Sequence, residues 1–425
     1  MKKINHKKID KEVYKILSKA MKDAQFIWDG NQNKWILSEK ARIEAWARGG
    51  YNLNQLVNLA REDMLMALAP DDITGVPFTG SASRRDCDTT VTIAKKIKLP
   101  FPLFSSNMES VIGPKLAITL ALMGGVGVTH QFQTIEEQTK DIRKVKSAKV
   151  NKISIDGRSY EPAIDKDGRL IVAGATGIRY DFMDRIKSII DAGADIVVLD
   201  VAHGDSGQMY DAIKNVRQKF PDVVLMVGNI ITPKAAYMFC KAGVDIIKAN
   251  VGPGYACTTR KITGFGVPTI SGLYDVATIA KEFGVDVVGD GGVNDSGIAV
   301  KYFATGCKGI MMGTKLGSTS DSPNFNKRYN KKTNKLKIWG SASSRAKEKQ
   351  GRPKWDAAEG REREVEYLGD TSIFIANLIT GIQSGLSYAG VSDDGRNNLL
   401  RLAKHSRWTM QSAAGTFEGQ KGLKG

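Results

Sequence analysis

The sequence predicts an α/β fold, a (β/α)8 TIM barrel with an N-terminal helical extension and a C-terminal flap. The chain has 425 residues, which is enough for one barrel-sized domain with appendages. Short, continuous apolar runs of strand length recur along it, with helical stretches between them. About nine such runs favour a closed barrel over an open, doubly wound sheet.

The strand pattern is clearest in a degenerate repeat. In each copy a helical stretch ends near a glycine, and the apolar run that follows ends in a polar residue or glycine. The repeat predicts four strands, and five further runs bring the total to nine. The predicted strands lie at 99–104, 125–130, 170–173, 196–200, 223–227, 246–250, 268–271, 287–290 and 309–313.

Residues 1–66 are predicted to form the helical extension, and residues 67–425 the barrel domain, with the flap at about 322–368. Apolar positions recur at helical spacing over 13–21 and 56–68. We interpret the extension as a decoration packed on the barrel. Its candidate anchors, to the barrel or to a partner, are Trp28, Trp35 and Trp46.

The charge balance predicts an acidic partner. Lys and Arg number 62 against 45 Asp and Glu, an excess of +17, which suits nucleic acid, an anionic surface or a phosphorylated small molecule. Residues 327–354 carry eleven basic residues and one acidic residue. This segment either attracts a nucleotide and a phosphorylated cofactor or is a solvated insert. No apolar run approaches the ~20 residues of a membrane span, so we expect no transmembrane helix and no membrane partner. The separated cysteines, read as reduced thiols, predict a cytoplasmic protein.

The cysteines predict a reduced protein with one candidate nucleophile. The four are far apart and form no C-x-x-C pair, which argues against a disulfide framework or a structural zinc site. Cys257 follows a tight loop with two glycines at the predicted rim of the barrel. It is either a nucleophile or buried packing. We interpret the others, Cys87, Cys240 and Cys307, as structural.

In a (β/α)8 barrel the chemistry lies at the carboxyl ends of the strands. Phosphate is often bound after the seventh and eighth strands, where this chain has Asp290-Gly291-Gly292 and Gly313-Thr314. Glycine lets backbone N–H groups approach an anion, although a plain turn uses the same residues. The other strand-end candidates are 105–107, Asp200 with His203, Gly228-Asn229 and 252–259.

These residues resemble the IMP dehydrogenase and GMP reductase family. The resemblance covers about 67–411 and leaves the predicted helical extension outside it. The matching motifs, in order, are Ser105-Ser106-Asn107-Met108, Gly124-Gly125-Val126-Gly127, 134–146, Asp200-Val201-Ala202-His203-Gly204, Gly228-Asn229, 252–260, Asp290-Gly291-Gly292 and Glu359-Gly360.

The resemblance implies a role for each matching position. It implies a purine nucleotide substrate, a nicotinamide cofactor and a homotetramer or octamer, with no need for nucleic acid. The implied catalytic residues are Cys257, Thr259 and Glu359. The implied substrate-binding residues are Ser106, Asn107, Tyr255, Asp290, Gly291, Gly292, Gly313, Thr314, Trp339, Gly340 and Ser341. The implied cofactor-binding residues are Asp200, Val201, Ala202, His203 and Asn229, and the carbonyls of Gly252, Gly254 and Cys257 match a monovalent-cation (K⁺) loop.

Within the family the flap favours a GMP-reductase-like enzyme that uses NADPH to convert GMP to IMP and ammonia. Dehydrogenases need an Arg-Tyr pair in a long flap. The short segment 341–358 contains none, and Arg352-Pro353-Lys354-Trp355 is the nearest approach. Most dehydrogenases carry a regulatory cystathionine-synthase-type (CBS) insert after the helix that ends near 146. Here only the short segment 151–170 separates Val150 from Ile171, so this insert is absent. The alternatives are an IMP dehydrogenase that uses NAD and a non-catalytic binder of purine nucleotide or nucleic acid. The dehydrogenase is favoured by residues 165–170 and 200–204, which resemble dehydrogenases more than reductases.

One residue departs from the family pattern. The family usually has a phosphate-contacting serine where this chain has Tyr255. A tyrosine still offers one hydroxyl, but on a bulky ring. Either the phosphate is held differently here, or the substrate is an unusual purine nucleotide.

Overall fold

A computed structural model describes residues 6–29, 34–38, 40–42, 44, 51–62, 66–78, 83–349, 353, 357–390 and 398–420. The strands are β1 (Phe26–Asp29), β2 (Lys34–Leu37), β3 (Ile73–Val76), β4 (Val91–Ile93), β5 (Ile97–Leu99), β6 (Leu103–Ser105), β7 (Gly127–Thr129), β8 (Ile153–Ile155), β9 (Arg158–Tyr160), β10 (Val172–Thr176), β11 (Ile196–Asp200), β12 (Val224–Ile230), β13 (Ile246–Ala249), β14 (Asp286–Asp290), β15 (Gly309–Met312), β16 (Lys335–Trp339), β17 (Glu362–Glu366) and β18 (Arg407–Met410).

Helices separate most of these strands. They are α1 (His6–Asp23), α2 (Leu53–Glu62), α3 (Pro114–Leu122), α4 (Ile135–Lys146), α5 (Phe182–Asp191), α6 (Gly207–Lys219), α7 (Pro233–Ala242), α8 (Thr259–Thr263), α9 (Thr269–Glu282), α10 (Ser296–Ala304), α11 (Thr314–Gly317), α12 (Pro323–Arg328), α13 (Ser344–Lys349), α14 (Thr371–Tyr388), α15 (Leu402–His405) and α16 (Ala413–Gln420).

A closed barrel of parallel strands forms the body of the protein. The sheet runs β6-β15-β14-β13-β12-β11-β10-β7. It closes where Phe104 of β6 pairs in parallel with Val126, next to β7, and the Ser105 N–H donates to the Val126 carbonyl at 3.0 Å. The predicted (β/α)8 barrel is confirmed.

The barrel strands are continuous apolar runs because both of their faces are buried. In β11, Ile196 and Val198 belong to the cluster that fills the barrel interior, whereas Val197 and Leu199 join the core beneath the helices. Residues of the β4–β5 hairpin add to the interior cluster. The interior is therefore a packed core that supports the strand ends.

The predicted strand at 268–271 is wrong. Pro268 is the N-cap of helix α9, and Thr269 begins its first turn. Most of α9 is buried, so its sequence lacks the one-sided apolar stripe that marks a surface helix. A short apolar run of this kind does not distinguish a strand from a buried helix. The barrel accordingly has eight strands rather than nine.

The N-terminal extension packs on the barrel, as interpreted, but it is not wholly helical. Helices α1 and α2 share the outer core with the barrel helices, whereas β1 and β2 form an antiparallel hairpin that the sequence did not predict. Arg61 of α2 pairs with Asp275 of α9 through two contacts of 2.6 Å. The side chains of the three tryptophan anchors lie outside the described residues.

The flap is a two-stranded antiparallel unit, β16 with β17, linked by α13. Residues 350–352 and 354–356, which carry part of the basic cluster, lie outside the described residues. Between Val150 and Ile171 the chain forms only the β8–β9 hairpin and a short bridge, with no inserted domain. Among the described helices, none is both long and apolar enough to cross a membrane.

Candidate functional site

A cavity of about 1110 Å³ opens at the carboxyl ends of the barrel strands. Of the residues to which the family resemblance assigns a role, the structure brings all but Trp339 to its lining, whereas the strand-end candidates Ser105, Gly228 and Thr258 do not line it. Those at the lining are Ser106, Asn107, Asp200, Val201, Ala202, His203, Asn229, Gly252, Gly254, Tyr255, Cys257, Thr259, Asp290, Gly291, Gly292, Gly313, Thr314, Gly340, Ser341 and Glu359.

Cys257 lies in the loop between β13 and α8. Its N–H donates to the Gly254 carbonyl at 2.9 Å, which closes a tight turn. Its Sγ is 3.2 Å from Oγ1 of Thr259, within hydrogen-bond distance for sulfur. The thiol is half-buried and faces the cavity. A thiol with a hydroxyl neighbour and access to a ligand has the setting of a nucleophile.

The other three cysteines lack this setting, which agrees with their interpretation as structural residues. All three are buried free thiols. Burial raises the pKa of Cys240 and of Cys307 to about 12. Burial, together with the adjacent Asp86, raises the pKa of Cys87 as well. These thiols therefore stay protonated and inert near neutral pH.

The end of the flap is fastened to the cysteine loop through its backbone. The Thr258 N–H donates to the Glu359 carbonyl at 2.8 Å, and Cys257 pairs with Gly360 in an antiparallel bridge. The Arg361 N–H donates to the Ala256 carbonyl at 2.9 Å. These bonds place Glu359 at the cavity wall beside the thiol and hydroxyl pair.

A buried lysine joins the strand ends at the floor of the cavity. Lys248 of β13 has a side chain only 5% exposed, and its Nζ contacts Asp200 at 3.1 Å and Asp290 at 2.5 Å. It also donates to Asn229 Oδ1 at 2.8 Å. Burial alone would lower the pKa of Lys248, but the two carboxylates outweigh it and raise that pKa. The lysine thus stays charged and compensates the charge of both carboxylates.

The hydrogen-bond cluster around Lys248 also fixes residues that were predicted to bind the substrate and the cofactor. Asn107 donates through Nδ2 to Asp200 at 2.5 Å, and Asn229 donates to Asp290 at 2.8 Å. Asp200 and Asn229, predicted for the cofactor, are thereby tied to Asp290, predicted for the substrate. Sequence reasoning missed Lys248, although a lysine inside an otherwise apolar strand was the available signal.

A second lobe of the cavity was also missed. It lies towards the loops after β7 and β10 and includes Arg179, Tyr180 and Arg185. Arg185 donates to the Gln133 carbonyl at 3.1 Å and to Gln138 Oε1 at 2.8 Å, and burial lowers its pKa. Tyr180 is 94% exposed at the rim. The lobe extends the cavity well beyond the size of one mononucleotide.

Trp339 lies behind the cavity wall instead of lining it. Its backbone N–H donates to Ser110 Oγ at 3.2 Å, and Ser110 Oγ donates back to its carbonyl at 2.8 Å. The guanidinium of Arg345 covers its ring, with Cζ 4.6 Å from the centroid. Its neighbours Gly340 and Ser341 reach the cavity, so the direct contact expected of Trp339 is corrected to a supporting position.

The predicted phosphate region is formed by two adjacent strand ends. Gly291 and Gly292 follow β14 with φ of 74° and 75°, in the left-handed region that favours glycine. Helix α11 begins at Thr314, directly after β15 and Gly313. Among the described residues there is no cluster of three or more His, Cys, Asp or Glu side chains able to hold a metal ion.

Fold and site together define a barrel enzyme with a cysteine at the wall of a large cavity at the carboxyl ends of the strands. Residues 67–421 match the model of the IMP dehydrogenase / GMP reductase domain. The chain belongs to this family of oxidoreductases.

Three similar proteins are inosine-5'-monophosphate dehydrogenases. The one from Borreliella burgdorferi is 32% identical over 382 aligned positions, covering 80% of this chain and 95% of the relative. The one from Nitrosopumilus maritimus is 28% identical, covering 82% of this chain and 97% of the relative. The one from Staphylococcus aureus strain Mu50 is 27% identical, covering 83% and 95%.

Proposed function

We propose that the chain is a GMP-reductase-like enzyme, which reductively deaminates a guanine nucleotide to the inosine nucleotide. The observation that carries this proposal is the flap. It reaches Glu359 from Gly340 through the short segment 341–358, which contains no Arg-Tyr pair to activate water, and its end is fastened by its backbone beside Cys257. The pair Arg328-Tyr329 lies earlier in the chain, before Trp339. A site without a water-activating pair suits hydride transfer to the adduct better than its hydrolysis.

The proposed chemistry uses the neighbours of Cys257. The thiolate attacks C2 of the purine and forms an S–C2 bond, while the electron pair of the C2=N3 double bond moves to N3; the double bond re-forms when the amine leaves. Thr259, 3.2 Å from the sulfur, passes a proton to the exocyclic amine with the help of Glu359, so that ammonia leaves. After hydride reaches C2, the S–C2 bond breaks and the thiolate is regenerated.

The cavity suits a substrate and a nicotinamide dinucleotide together. Drug-sized ligands occupy roughly 300–1,000 Å³, and this cavity is larger, at about 1110 Å³. The segment 200–203 and Asn229 would hold the cofactor near the floor, and the second lobe would hold its far end. NADPH bound there supplies the hydride. The arginines of the lobe, Arg179 and Arg185, suit a phosphorylated cofactor.

A monovalent cation such as K⁺ is compatible with the cysteine loop. Carbonyl oxygens are suitable ligands for a hard cation. The Gly254 carbonyl accepts one hydrogen bond from Cys257 and keeps a second lone pair. Gly252, Gly254 and Cys257 would hold the ion, which would fix the loop and take no part in the reaction.

A second candidate is an IMP dehydrogenase that uses NAD. The names of the three relatives favour it. The lack of a regulatory insert does not argue against it, because the Borreliella dehydrogenase, aligned over 95% of its length in 382 positions, is shorter than this chain.

The test is a panel of purine ribo- and deoxyribonucleotides with NADPH or NAD, followed at the nicotinamide absorbance band. We expect purified protein to consume NADPH only when a guanine nucleotide is present. Production of NADH from IMP and NAD would establish the dehydrogenase instead.

A further inference from the structure

Asn250 leaves strand β13 with an unusual backbone conformation. It is the first residue after the strand, its φ is 133°, and only 1% of it is exposed. This range of φ favours glycine, and a residue with a side chain keeps it only where the surrounding structure enforces it. Such residues concentrate at functional sites. Asn250 lies at the entry to the loop that carries Cys257, and it reaches the cavity wall.

Hydrogen bonds from the backbone and the side chain hold this conformation. The Asn250 N–H donates to the Ile230 carbonyl at 2.9 Å, and the Asn250 carbonyl accepts from Asn229 Nδ2 at 2.9 Å. Both partners belong to β12, so the backbone is tied to the neighbouring strand. The side chain turns back on the chain, and its Oδ1 accepts from the Val251 N–H at 3.1 Å. Asn250 therefore fixes the direction in which the cysteine loop leaves the barrel.

Tyr302 connects Asn250 to the glycine turn after β14. This tyrosine of α10 is fully buried, and its hydroxyl donates to the Gly291 carbonyl at 2.9 Å. Asn250 Nδ2 lies 3.5 Å from the same hydroxyl oxygen, at the long end of a hydrogen bond. Burial raises the pKa of Tyr302 above its ordinary value. The hydroxyl consequently stays protonated and keeps its bond to Gly291.

The glycine turn is packed between this tyrosine and the cysteine loop. A Cβ added at Gly292 would lie 2.7 Å from the Tyr302 hydroxyl and 2.9 Å from Pro253 Cβ. There is no room for the turn and the loop to approach further. Both the turn and Cys257 line the cavity. A shift of either segment would therefore change the distance between the thiol and a ligand on the turn.

We propose that Asn250 and Tyr302 are positioning residues, which hold the cysteine loop and the glycine turn in one relative position so that Cys257 meets the substrate. Tyr302 acts through Gly291, and Asn250 acts through the backbone of the loop. Neither takes or gives a proton in the reaction. The proposal rests on the proposed function only in taking Cys257 as the reacting thiol, and it applies to a reductase and to a dehydrogenase alike.

The test measures alkylation of Cys257 by iodoacetamide without substrate or cofactor. Peptide mass spectrometry follows each cysteine separately. The buried thiols Cys87, Cys240 and Cys307 serve as internal references, because they react only when the protein unfolds more generally. The result does not depend on the direction of the enzymatic reaction.

The variants remove one side-chain contact each. Tyr302→Phe removes only the hydroxyl, and Asn250→Gly removes the side chain while glycine accepts φ of 133°. The matched control is Tyr274→Phe, because Tyr274 is also buried and its hydroxyl contacts Asn54 of the N-terminal extension. The double variant of Asn250 and Tyr302 shows whether the two side chains act together.

We expect alkylation of Cys257 to rise roughly three- to tenfold in each single variant, since loss of one hydrogen bond favours local opening of the half-buried loop by about this factor. The double variant should react at about the rate of the faster single variant, because both side chains belong to one network. Tyr274→Phe and the three buried thiols should react as in the wild type. In turnover with the active substrate pair, kcat should fall about tenfold while KM changes less than about threefold.

Wild-type alkylation of Cys257 in either variant would overturn the proposal. An equal rise at the buried thiols would overturn it too, because the side chains would then support the fold in general. Effects that multiply in the double variant would show two independent contacts and would also contradict it. Absence of turnover with every substrate pair would count against the proposed function, and the alkylation rates would still decide this proposal.

Discussion

The Sγ of Cys257 lies 3.2 Å from the Oγ1 of Thr259, on the first residue of a short helix at the cavity wall. The spacing of two residues brings thiol and hydroxyl together because the chain turns sharply at Gly254, whose carbonyl accepts the Cys257 N–H. The flap then adds Glu359 through its backbone bond to Thr258. The proposed nucleophile and proton-transfer groups are thus assembled mainly by backbone bonds.

Replacing Thr259 separates proton transfer from binding. Thr259→Ala should lower kcat with GMP by about 100- to 10,000-fold, the usual contribution of a positioned proton donor. Nucleotide affinity should change little, and Thr259→Ser should recover much of the rate because it keeps the hydroxyl. Cys257→Ala provides the baseline without a nucleophile. Full activity of Thr259→Ala in steady-state kinetics would remove this residue from the mechanism.

Lys248→Met should leave Asp200 and Asp290 buried without their shared cation. Removing one partner of a buried ion pair typically costs about 3–5 kcal/mol of unfolding free energy. Urea unfolding of the variant and the wild type measures this loss.

The control for Lys248 is Lys152→Met, because Lys152 pairs with Glu161 at 2.5 Å and both side chains are more than half exposed. It should lose clearly less stability, about 1 kcal/mol or less. Equal losses in the two variants would contradict the role assigned to the buried lysine.

The extension should be held to the barrel by Arg61. Burial raises the pKa of Asp275, although Arg61 opposes this. Arg61→Met should therefore cost about 3–5 kcal/mol, and adding Asp275→Asn should recover part of it. Lys19→Met removes an exposed pair with Glu282 and should cost less than about 1 kcal/mol. Denaturant midpoints give the comparison, and a neutral Arg61→Met would show that the helices dock without the pair.

The lowered pKa of Asp165 predicts that the loop before β10 is sensitive to acid. Burial alone would raise its pKa, but the Arg169 N–H, Lys146 and the Asp167 N–H lower it to about 2. A carboxyl with a lowered pKa stabilises the folded state above its unfolded value of 3.8, and this stability is lost as pH falls towards 2. Asp165→Asn should lose stability at neutral pH and show a flatter profile between pH 4 and 2. An unchanged acid profile would contradict the assignment.

The barrel could be predicted from the sequence because the patterns that indicate its strands are local. A parallel strand buried on both faces is an apolar run, and a glycine such as Gly243, with φ of 90°, ends the helix before it. The exception is 268–271, where burial on all sides gives a helix the same composition as a strand. The β1–β2 hairpin was missed between two helical patterns.

The site could be predicted less completely, because many of its contacts join residues that are far apart in the sequence. The strand-end residues were predictable, since the fold brings every carboxyl end to one face. The pairing of Arg363 with Tyr255 joins the flap to the loop after β13, far apart in the chain, and no local pattern indicates it. Trp339 was expected at the cavity from the family resemblance. It lies on the same face of β16 as the exposed Lys335 and Lys337, yet it is buried, with the guanidinium of Arg345 over its ring, and the local sequence pattern does not show this.

The most direct test of the central claim follows the hydride. Protein is incubated with GMP and NADPH that carries deuterium at the transferable position, and the products are analysed by mass spectrometry together with an ammonia assay. The proposal predicts an inosine nucleotide with deuterium at C2 and one ammonia for each NADPH oxidised, and no product from Cys257→Ala. Formation of a xanthosine nucleotide and NADH from IMP and NAD, with no reaction of GMP, would contradict it.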